Sequence, residues 1–292
     1  MATHGYTVRP HITEEVTMGL RINTNTAALN SYRNLQATDK ALNSSLEKLS
    51  SGLRINRAAD DAAGLVVSEG LRAQIGGLST AARNAQDGVN YVQIADGALS
   101  TVGDMLTRMR DLAVQASNVT TDDTARTAAN KEFKALAQQI NDIGSQTKFG
   151  TTALFNGTAG STFQVGANGG ETLVVAAIAL TSADVAGTNV NGGDLTSMAN
   201  ASTAIGTINT AITNIAAKRA DLGAAQNRFQ HIINNLNVSI ENLSASQSAI
   251  RDTDMAQEMT KFTRSQILSQ AGTSMLAQAN SASQNVLSLL RG

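Results

Sequence analysis

The residues of this sequence that could carry out chemistry do not form a catalytic or metal-binding set. His231 is the one histidine within a regularly patterned segment, and a metal site there would need several more ligands close to it. We interpret His231 as a structural residue on the flank of a helix. The metalloprotease motif HExxH is absent. The sequence therefore predicts no catalytic residue, no metal site, no cofactor and no enzymatic activity.

Two pairs of aspartates and one glycine-rich stretch are the remaining candidates for chemistry. Asp60-Asp61 and Asp122-Asp123 each stand where a helix is expected to begin, and carboxylates are favourable there against the helix dipole. Capping explains both pairs better than acid–base catalysis. Residues 166–170 (Gly-Ala-Asn-Gly-Gly) follow no βαβ pattern, so they favour a hairpin turn over a phosphate-binding loop. A hydrolase is disfavoured because no nucleophile and histidine are arranged for one.

The element that dominates the sequence is a heptad repeat between Ile205 and Ile250. Apolar residues recur at every seventh position, with a second row three residues ahead: Ile208, Ile215, Leu222, Phe229, Leu236, Leu243 and Ile250 form the first row. This spacing predicts one continuous helix, roughly 70 Å long, that must pack against equally long partners. Arg219 and Gln226 interrupt the second row, and we expect them to fix the register or to face a third helix.

Heptad patterns also predict the partner helices. Leu35, Leu42 and Leu49 define a first helix that stops at Ser50-Ser51-Gly52. A long second helix should run from about Asp61 to Asn118, where Gly76, Gly77, Gly88, Gly97 and Gly103 are expected to mark close approaches, since helical glycines cost about 1 kcal/mol each. A shorter helix with Phe133 and Ile140 should follow, capped by Thr121.

The middle and the end of the chain differ from each other in pattern. Residues 162–165 and 172–176 bracket the glycine-rich turn and predict a β-hairpin. Past Asp252, Leu268, Met275 and Leu289 form one row of a last helix, and Val286 continues another. Arg264 is the only charged residue between Phe262 and Leu290, which predicts a helix that meets other helices on several sides.

The composition agrees with a helical structural protein. Aromatic residues make up 3% of the 292 residues, Trp and Cys are absent, and the net charge is −1. The sequence has no cluster of basic residues, so binding to nucleic acid or to an anionic membrane is not expected. It also has no apolar run of 18 residues, so no membrane span is expected. Residues 1–25 lack the apolar run of a cleavable signal. The predicted fold is mainly α: long antiparallel coiled-coil helices forming a rod-like bundle with small β-hairpins, and with the N- and C-terminal helices paired.

This nested order of helices, together with several local motifs, resembles bacterial flagellin. The motifs lie at both ends of the chain: residues 19–25 (GLRINTN), 49–56 (LSSGLRIN), 60–64 (DDAAG), 109–116 (MRDLAVQA), 266–268 (QIL), 270–274 (QAGTS), 276–280 (LAQAN) and 284–290 (QNVLSLL). The resemblance covers about residues 18–156 and 205–291. Because the family's chain would start at Met18, residues 1–18 are expected to be an extra N-terminal extension without order.

The resemblance implies a secreted, extracellular subunit that assembles into the flagellar filament used for motility. It implies that residues 19–60 and 252–292 form a terminal helix pair lining an inner tube, that residues 61–160 and 195–251 form a rod-like helical domain, and that residues 161–194 replace the variable outer domains with hairpins and loops. The subunit contacts it implies are Leu35, Leu42, Leu49, Leu268, Met275, Leu276, Val286 and Leu289. An isolated helix with little charge is marginal, so these ends are expected to fold on assembly.

The resemblance also implies partners other than the chain itself. They are a secretion chaperone at the C-terminal segment, the filament cap and hook-junction proteins, and a mammalian Toll-like receptor that recognises the monomer. The positions matching the receptor-binding residues are Arg108, Leu112, Gln115 and Glu132, and the first three share one helix face. Two alternatives stay open at this point: a hook–filament junction protein of the same family, and a secreted coiled-coil adhesin or effector that forms no polymer.

Overall fold

The computed structural model describes residues 24–157, 160–181 and 184–291 of the chain, with side chains to residue 282. Five helices and three two-stranded antiparallel sheets make up this part. The helices are α1 (Thr26–Ser51), α2 (Ala62–Ala116), α3 (Asp123–Gln146), α4 (Met198–Arg251) and α5 (Met255–Arg291). The strands are β1 (Lys148–Phe149), β2 (Thr152–Ala153), β3 (Ser161–Gln164), β4 (Thr172–Val175), β5 (Leu180–Thr181) and β6 (Asp184–Val185). The predicted extension at residues 1–18 and the first five residues of the 19–25 motif lie outside the described residues.

The helix ends follow the residues that the sequence offers for capping. Gly52 ends α1 with a left-handed backbone (φ 72°), and its N–H donates to the carbonyl of Lys48. Asp61 accepts a hydrogen bond from the N–H of Gly64 at 2.8 Å and so caps the start of α2. Both observations confirm the sequence-based expectation.

The predicted cap of α3 is wrong by one residue. The N-cap is Asp122, whose carboxylate accepts from the N–H of Ala125 at 2.8 Å. The hydroxyl of Thr121 instead donates to the carbonyl of Gln115 at 2.8 Å, and so closes the end of α2. Thr121 and Asp122 are both good capping residues, and the preceding helix claims the first of them.

The described chain divides into two compact units, residues up to Leu65 with those from Ile250 onward, and Val66–Ala249. In the second unit, α2 and α4 run antiparallel: Gly88 faces the ring of Phe229, and further along Asp96 accepts from Arg219 at 2.7 Å. Arg219, in the second row of the heptad repeat, therefore faces α2. The first row of the predicted repeat is buried from Ile208 to Leu236, which confirms the heptad helix.

The β-hairpin predicted around residues 167–170 is confirmed as β3 and β4, which pair antiparallel from Ser161–Val175 to Gln164–Thr172. Three aromatic rings hold it on the helices. Phe163 of the hairpin makes edge contacts with Tyr91 of α2 and Phe229 of α4, each at a centroid distance of 5.4 Å. Ser161 also donates to the Tyr91 hydroxyl at 2.7 Å. Much of the chain's small aromatic content is therefore placed at this one junction.

The glycines of α2 fall into two groups. A Cβ on Gly88 would lie 2.5 Å from Phe229 Cζ, and one on Gly77 would lie 2.9 Å from Ala167 Cβ. These two positions confirm the predicted close approaches. A Cβ on Gly76, Gly97 or Gly103 would meet nothing within 4 Å, so packing within the chain does not explain those three glycines.

This difference predicts opposite effects of alanine at two positions of one helix. Gly88→Ala should lower the free energy of unfolding by about 1–3 kcal/mol, because the added methyl overpacks the Phe229 ring. Gly97→Ala should raise it by up to about 1 kcal/mol, since alanine has the better helix propensity and the site is open. Urea unfolding of both variants and the parent would measure this. A loss of stability of the same size in both variants would contradict it.

Candidate functional site

The paired terminal helices α1 and α5 form the surface most suited to function. Polar contacts fix their antiparallel register. Asn25 Nδ2 donates to the carbonyl of Ala279 at 2.9 Å, and Ser269 Oγ lies 3.0 Å from Asp39 Oδ1. At the other end, a backbone bridge pairs Leu53 with Asp252, just beyond the end of α1. The predicted pairing of the N- and C-terminal helices is therefore confirmed.

A buried carboxylate lies between the first turn of α5 and the last two turns of α1. Glu258 is almost completely buried; Ser45 Oγ donates to its Oε1 at 2.6 Å, and Lys261 Nζ donates to its Oε2 at 3.1 Å. Burial alone would raise the pKa of Glu258, but the bond from Ser45 and the bond and charge of Lys261 outweigh it and lower that pKa. The group is therefore an ionised, hydrogen-bonded anchor between the two helices.

A close contact accompanies the polar anchors. A Cβ built on Gly272 of α5 would lie 3.3 Å from Leu35 Cδ1 of α1, so the two helices approach closely there. Of the predicted interface residues, Leu35, Leu42, Leu49 and Leu276 are half-buried within this pair. Leu35 thus packs α1 against α5 at Gly272.

Other predicted interface residues point away from the pair. Leu268 is 51% exposed and Met275 is 61% exposed, although both are large and apolar. Val286 and Leu289 lie beyond the residues whose side chains are described. Further members of this surface were not predicted from the sequence, and they are Leu29, Tyr32, Met255, Met259 and Ile267, all exposed. For Ile267, the low charge of the last helix after Phe262 was the signal, since it implies apolar residues around the whole circumference.

The exposed residues of α5 surround a shallow groove. It has a volume of about 510 Å³, and Met259, Ile267 and Leu268 supply its apolar lining, with Thr260, Thr263 and Arg264 around them. Contiguous apolar surface of this kind marks an interaction site more often than a solvated one. Chemically, it can bury apolar side chains of a partner and offers no arrangement for catalysis.

The link between α1 and α2 is a tightly bonded loop. The carboxylate of Asp60 accepts from the N–H groups of Arg57 and Asn56, at 2.9 and 3.0 Å, and these bonds lower its pKa. Arg54 adds a bond from its guanidinium to the carbonyl of Ile250 at 2.6 Å. Asp60 and Asp61 are therefore structural, as the sequence predicted.

The four residues predicted to meet a receptor lie together on α2 and α3 of the second unit. Arg108 Nε donates to Glu132 Oε1 at 2.8 Å, and Arg108, Gln115 and Glu132 are exposed. Leu112 lies on the same face of α2 as Arg108 and Gln115 but is only 3% exposed, because it belongs to the hydrophobic core. The three polar residues can contact a partner directly, whereas Leu112 can act only by supporting them.

His231 is exposed on α4, beside a groove that also borders the β3–β4 turn. No group of three or more potential ligands that could hold a metal ion occurs among the described residues. None of the helices in the described part is long and apolar enough to span a bilayer.

Both helical ends of the chain match known families. Residues 22–160 match the profile of the bacterial flagellin N-terminal helical region, and residues 205–290 match that of the C-terminal helical region. The chain is 47% identical to a flagellin of Halalkalibacterium halodurans over 273 residues, which cover 92% of this chain and 99% of that protein. It is 44% identical to a flagellin of Bacillus subtilis over 304 residues, covering 93% and 100%. The match to the crystal structure of Bacillus cereus flagellin covers 53% of this chain and 88% of that chain, with a TM-score of 0.48 and 31% sequence identity.

The Glu258 anchor leads to a prediction about acid. At neutral pH, Glu258→Gln should speed amide hydrogen exchange in α1 and α5 roughly tenfold, because it weakens charge-assisted bonds worth about 1.5–3 kcal/mol each. The lowered pKa means that the carboxylate stabilises the pair fully above its ordinary value of 4.5 and loses that effect as the pH falls through the lowered value. The difference between variant and parent should therefore shrink in acid.

Amide hydrogen exchange is measured for the Glu258 variant and for the parent while both are in the same association state. Glu241→Gln serves as the matched control, since Glu241 is exposed on α4. Equal protection of the Glu258 variant and the parent at neutral pH, or a difference that grows in acid, would count against the anchor.

Proposed function

This chain belongs to the bacterial flagellin family, and from that premise we propose how its surfaces serve a subunit of the flagellar filament. It is a structural protein and not an enzyme. Copies of it form the extracellular filament, which is a homopolymer. The α1–α5 pair is the principal assembly surface, and neighbouring copies cover its exposed apolar side chains. The observation that carries this is the exposure of Leu268, Met275 and the residues around the α5 groove.

The divisions of the chain have distinct tasks in the proposed filament. Residues 19–60 and 252–292 line the inner tube, residues 61–160 and 195–251 form the rod-like domain, and residues 161–194 form short hairpins in place of larger outer domains. The hydrophobic core of α2, α3 and α4, the two small hairpins β3–β4 and β5–β6, and the uncovered surface of α1 and α5 support this assignment. Predicted interface residues Leu35, Leu42, Leu49 and Leu276 hold the pair together, while Leu268 and Met275, with Val286 and Leu289, meet other copies.

Partners that act before assembly would use the same surface. A secretion chaperone would cover the C-terminal segment, and cap and hook-junction proteins would meet the terminal helices at the two ends of the filament. The exposed apolar residues of α5 support this, because a free subunit carrying them would otherwise associate without control. The same exposure supports the expectation that the ends become ordered on assembly.

The alternatives from the sequence are separable from this function. A hook–filament junction protein would form a short ring at the filament base, and an adhesin or effector would form no polymer. Electron microscopy of the concentrated protein with filament seeds would distinguish them. Long filaments are expected, and a preparation that stays monomeric after seeding would rule out the proposed function.

One substitution on the assembly surface tests its role. Leu268→Glu should raise the protein concentration needed for seeded polymerisation at least about tenfold, because assembly would bury an unpaired charge. Val174→Glu is the matched control, since Val174 is equally exposed on strand β4. The amount of pelleted protein across a concentration series measures the effect. Polymerisation of the Leu268 variant at the parent's concentration would contradict the assignment.

The second role proposed is recognition of the monomer by the mammalian Toll-like receptor for flagellin. The exposed ion pair of Arg108 and Glu132, with Gln115 beside it, supports this role, because an arginine at an interface can form several bonds at once. Surface ion pairs add little to stability, so Arg108 can be replaced without unfolding the domain. Leu112 is a poor probe because its removal would leave a cavity in the core.

Arg108→Ala should therefore raise the monomer dose that half-activates a receptor reporter roughly tenfold, the effect of removing one important interface side chain. Arg110→Ala is the control, because Arg110 is exposed on another side of α2. Circular dichroism would verify that both variants keep the parent's helix content. An unchanged dose for the Arg108 variant would exclude the assigned receptor surface without affecting the assembly function.

A further inference from the structure

The sulfur chemistry of this chain belongs entirely to methionine, since eight methionines and no cysteine are present. Methionine thioethers are oxidised to sulfoxides when oxidants can reach them. In the second unit, Met109 is buried in the hydrophobic core and Met105 packs partly against it. Met198, at the start of α4, is 45% exposed. Met1 and Met18 fall outside the described residues.

The other three methionines lie on one helix, α5. Met255 and Met259 are 46% and 50% exposed and lie one turn apart on one side of the face that contacts α1. Met275, which is 61% exposed, lies on the other side, seven residues after the exposed Leu268. Met259 also lines the α5 groove with Ile267 and Leu268. The accessible thioethers are thus part of the apolar surface assigned above to subunit contacts.

We infer that Met255, Met259 and Met275 form an oxidation-sensitive modification site that decides whether a free subunit can join the filament. The inference rests on the proposed assembly function. The modifying agent is a two-electron oxidant, such as hydrogen peroxide. A sulfur lone pair attacks one peroxide oxygen, the O–O bond breaks, and the sulfur becomes a sulfoxide while the peroxide is reduced to water after a proton transfer.

The new oxygen changes what the surface can bury. A sulfoxide is a polar acceptor, and burying it without a donor opposes packing. Packing arranged around an apolar thioether has no donor placed for the new oxygen. Packing against other copies, in turn, shields the thioethers from oxidant. Oxidation therefore acts on the free subunit, and assembled subunits resist it.

A competition experiment tests this with the unmodified full chain. Monomer is treated with a limiting dose of hydrogen peroxide so that each exposed methionine is partly converted, and filament seeds are then added. Pellet and supernatant are compared by peptide mass spectrometry at each methionine. The sulfoxide fraction at Met255, Met259 and Met275 should be roughly tenfold lower in the pellet, because the buried acceptor disfavours incorporation by about that factor. The sulfoxide fraction at Met198 should be equal in the pellet and the supernatant. Met1 and Met18 are measured separately on their own peptides.

Two variants give the same test without partial oxidation. The triple variant Met255→Leu, Met259→Leu and Met275→Leu keeps volume and apolarity, and it should polymerise after peroxide treatment as it does before. Met198→Leu should lose polymerisation on treatment as the parent does. If untreated parent protein does not extend seeds, the proposed assembly function fails. If it does, and sulfoxide at the three α5 methionines enters the pellet as freely as at Met198, the oxidation site alone is excluded.

Discussion

Helices α1 and α5 carry more apolar surface than their own pairing can cover. Residues on one face of α5 contact α1, yet Met259, Ile267 and Leu268 lie outside that face and are exposed. Apolar surface stabilises a protein only when water is removed from it, by about 25 cal/mol for each Å². The terminal helices therefore need further helices around them, and this is the basis for the proposal that copies of the same chain cover them in the filament. The pair itself depends on a few polar contacts, of which Glu258 with Ser45 is the most buried.

The second unit satisfies its apolar residues within the chain. Met109, Phe133, Leu180 and Phe229 belong to one continuous core that draws on α2, α3, α4 and the short strands. Its surface then offers polar groups such as the Arg108–Glu132 pair. The second unit buries its apolar residues within a single chain, whereas the unit of the terminal helices does not. A subunit that is exported singly and polymerises afterwards needs this difference.

The sequence predicted those features that depend on spacing along one helix. The heptad row from Ile208, the end of α1 at Gly52 and the β3–β4 hairpin follow from residue period and turn chemistry, and each was found. The pairing of the two terminal helices was also predicted, but the individual side-chain contacts between distant segments were missed. The Ser45–Glu258 bond joins residues 213 positions apart, and no local pattern indicates it.

Other features escaped prediction for physical reasons of the same kind. Leu112 shares a helix face with Arg108 but is buried in the hydrophobic core, and helix periodicity alone does not show that burial. The cap of α3 moved from Thr121 to Asp122 because the end of α2 takes the threonine hydroxyl. The role of Gly97 was misjudged because helix periodicity does not show which positions a neighbouring element leaves open.

The Glu258 anchor also restricts how the terminal helices can move. Two smooth apolar helices could slide along each other in small steps with little change in energy. Sliding α5 by even one turn would carry this carboxylate away from Ser45, break the bond between the two helices and leave only the bond from Lys261 of the same helix. The pair therefore has one preferred axial offset, and in the proposed filament every copy would present the same spacing of outer side chains to the next. Repeating order over many copies requires that kind of uniformity.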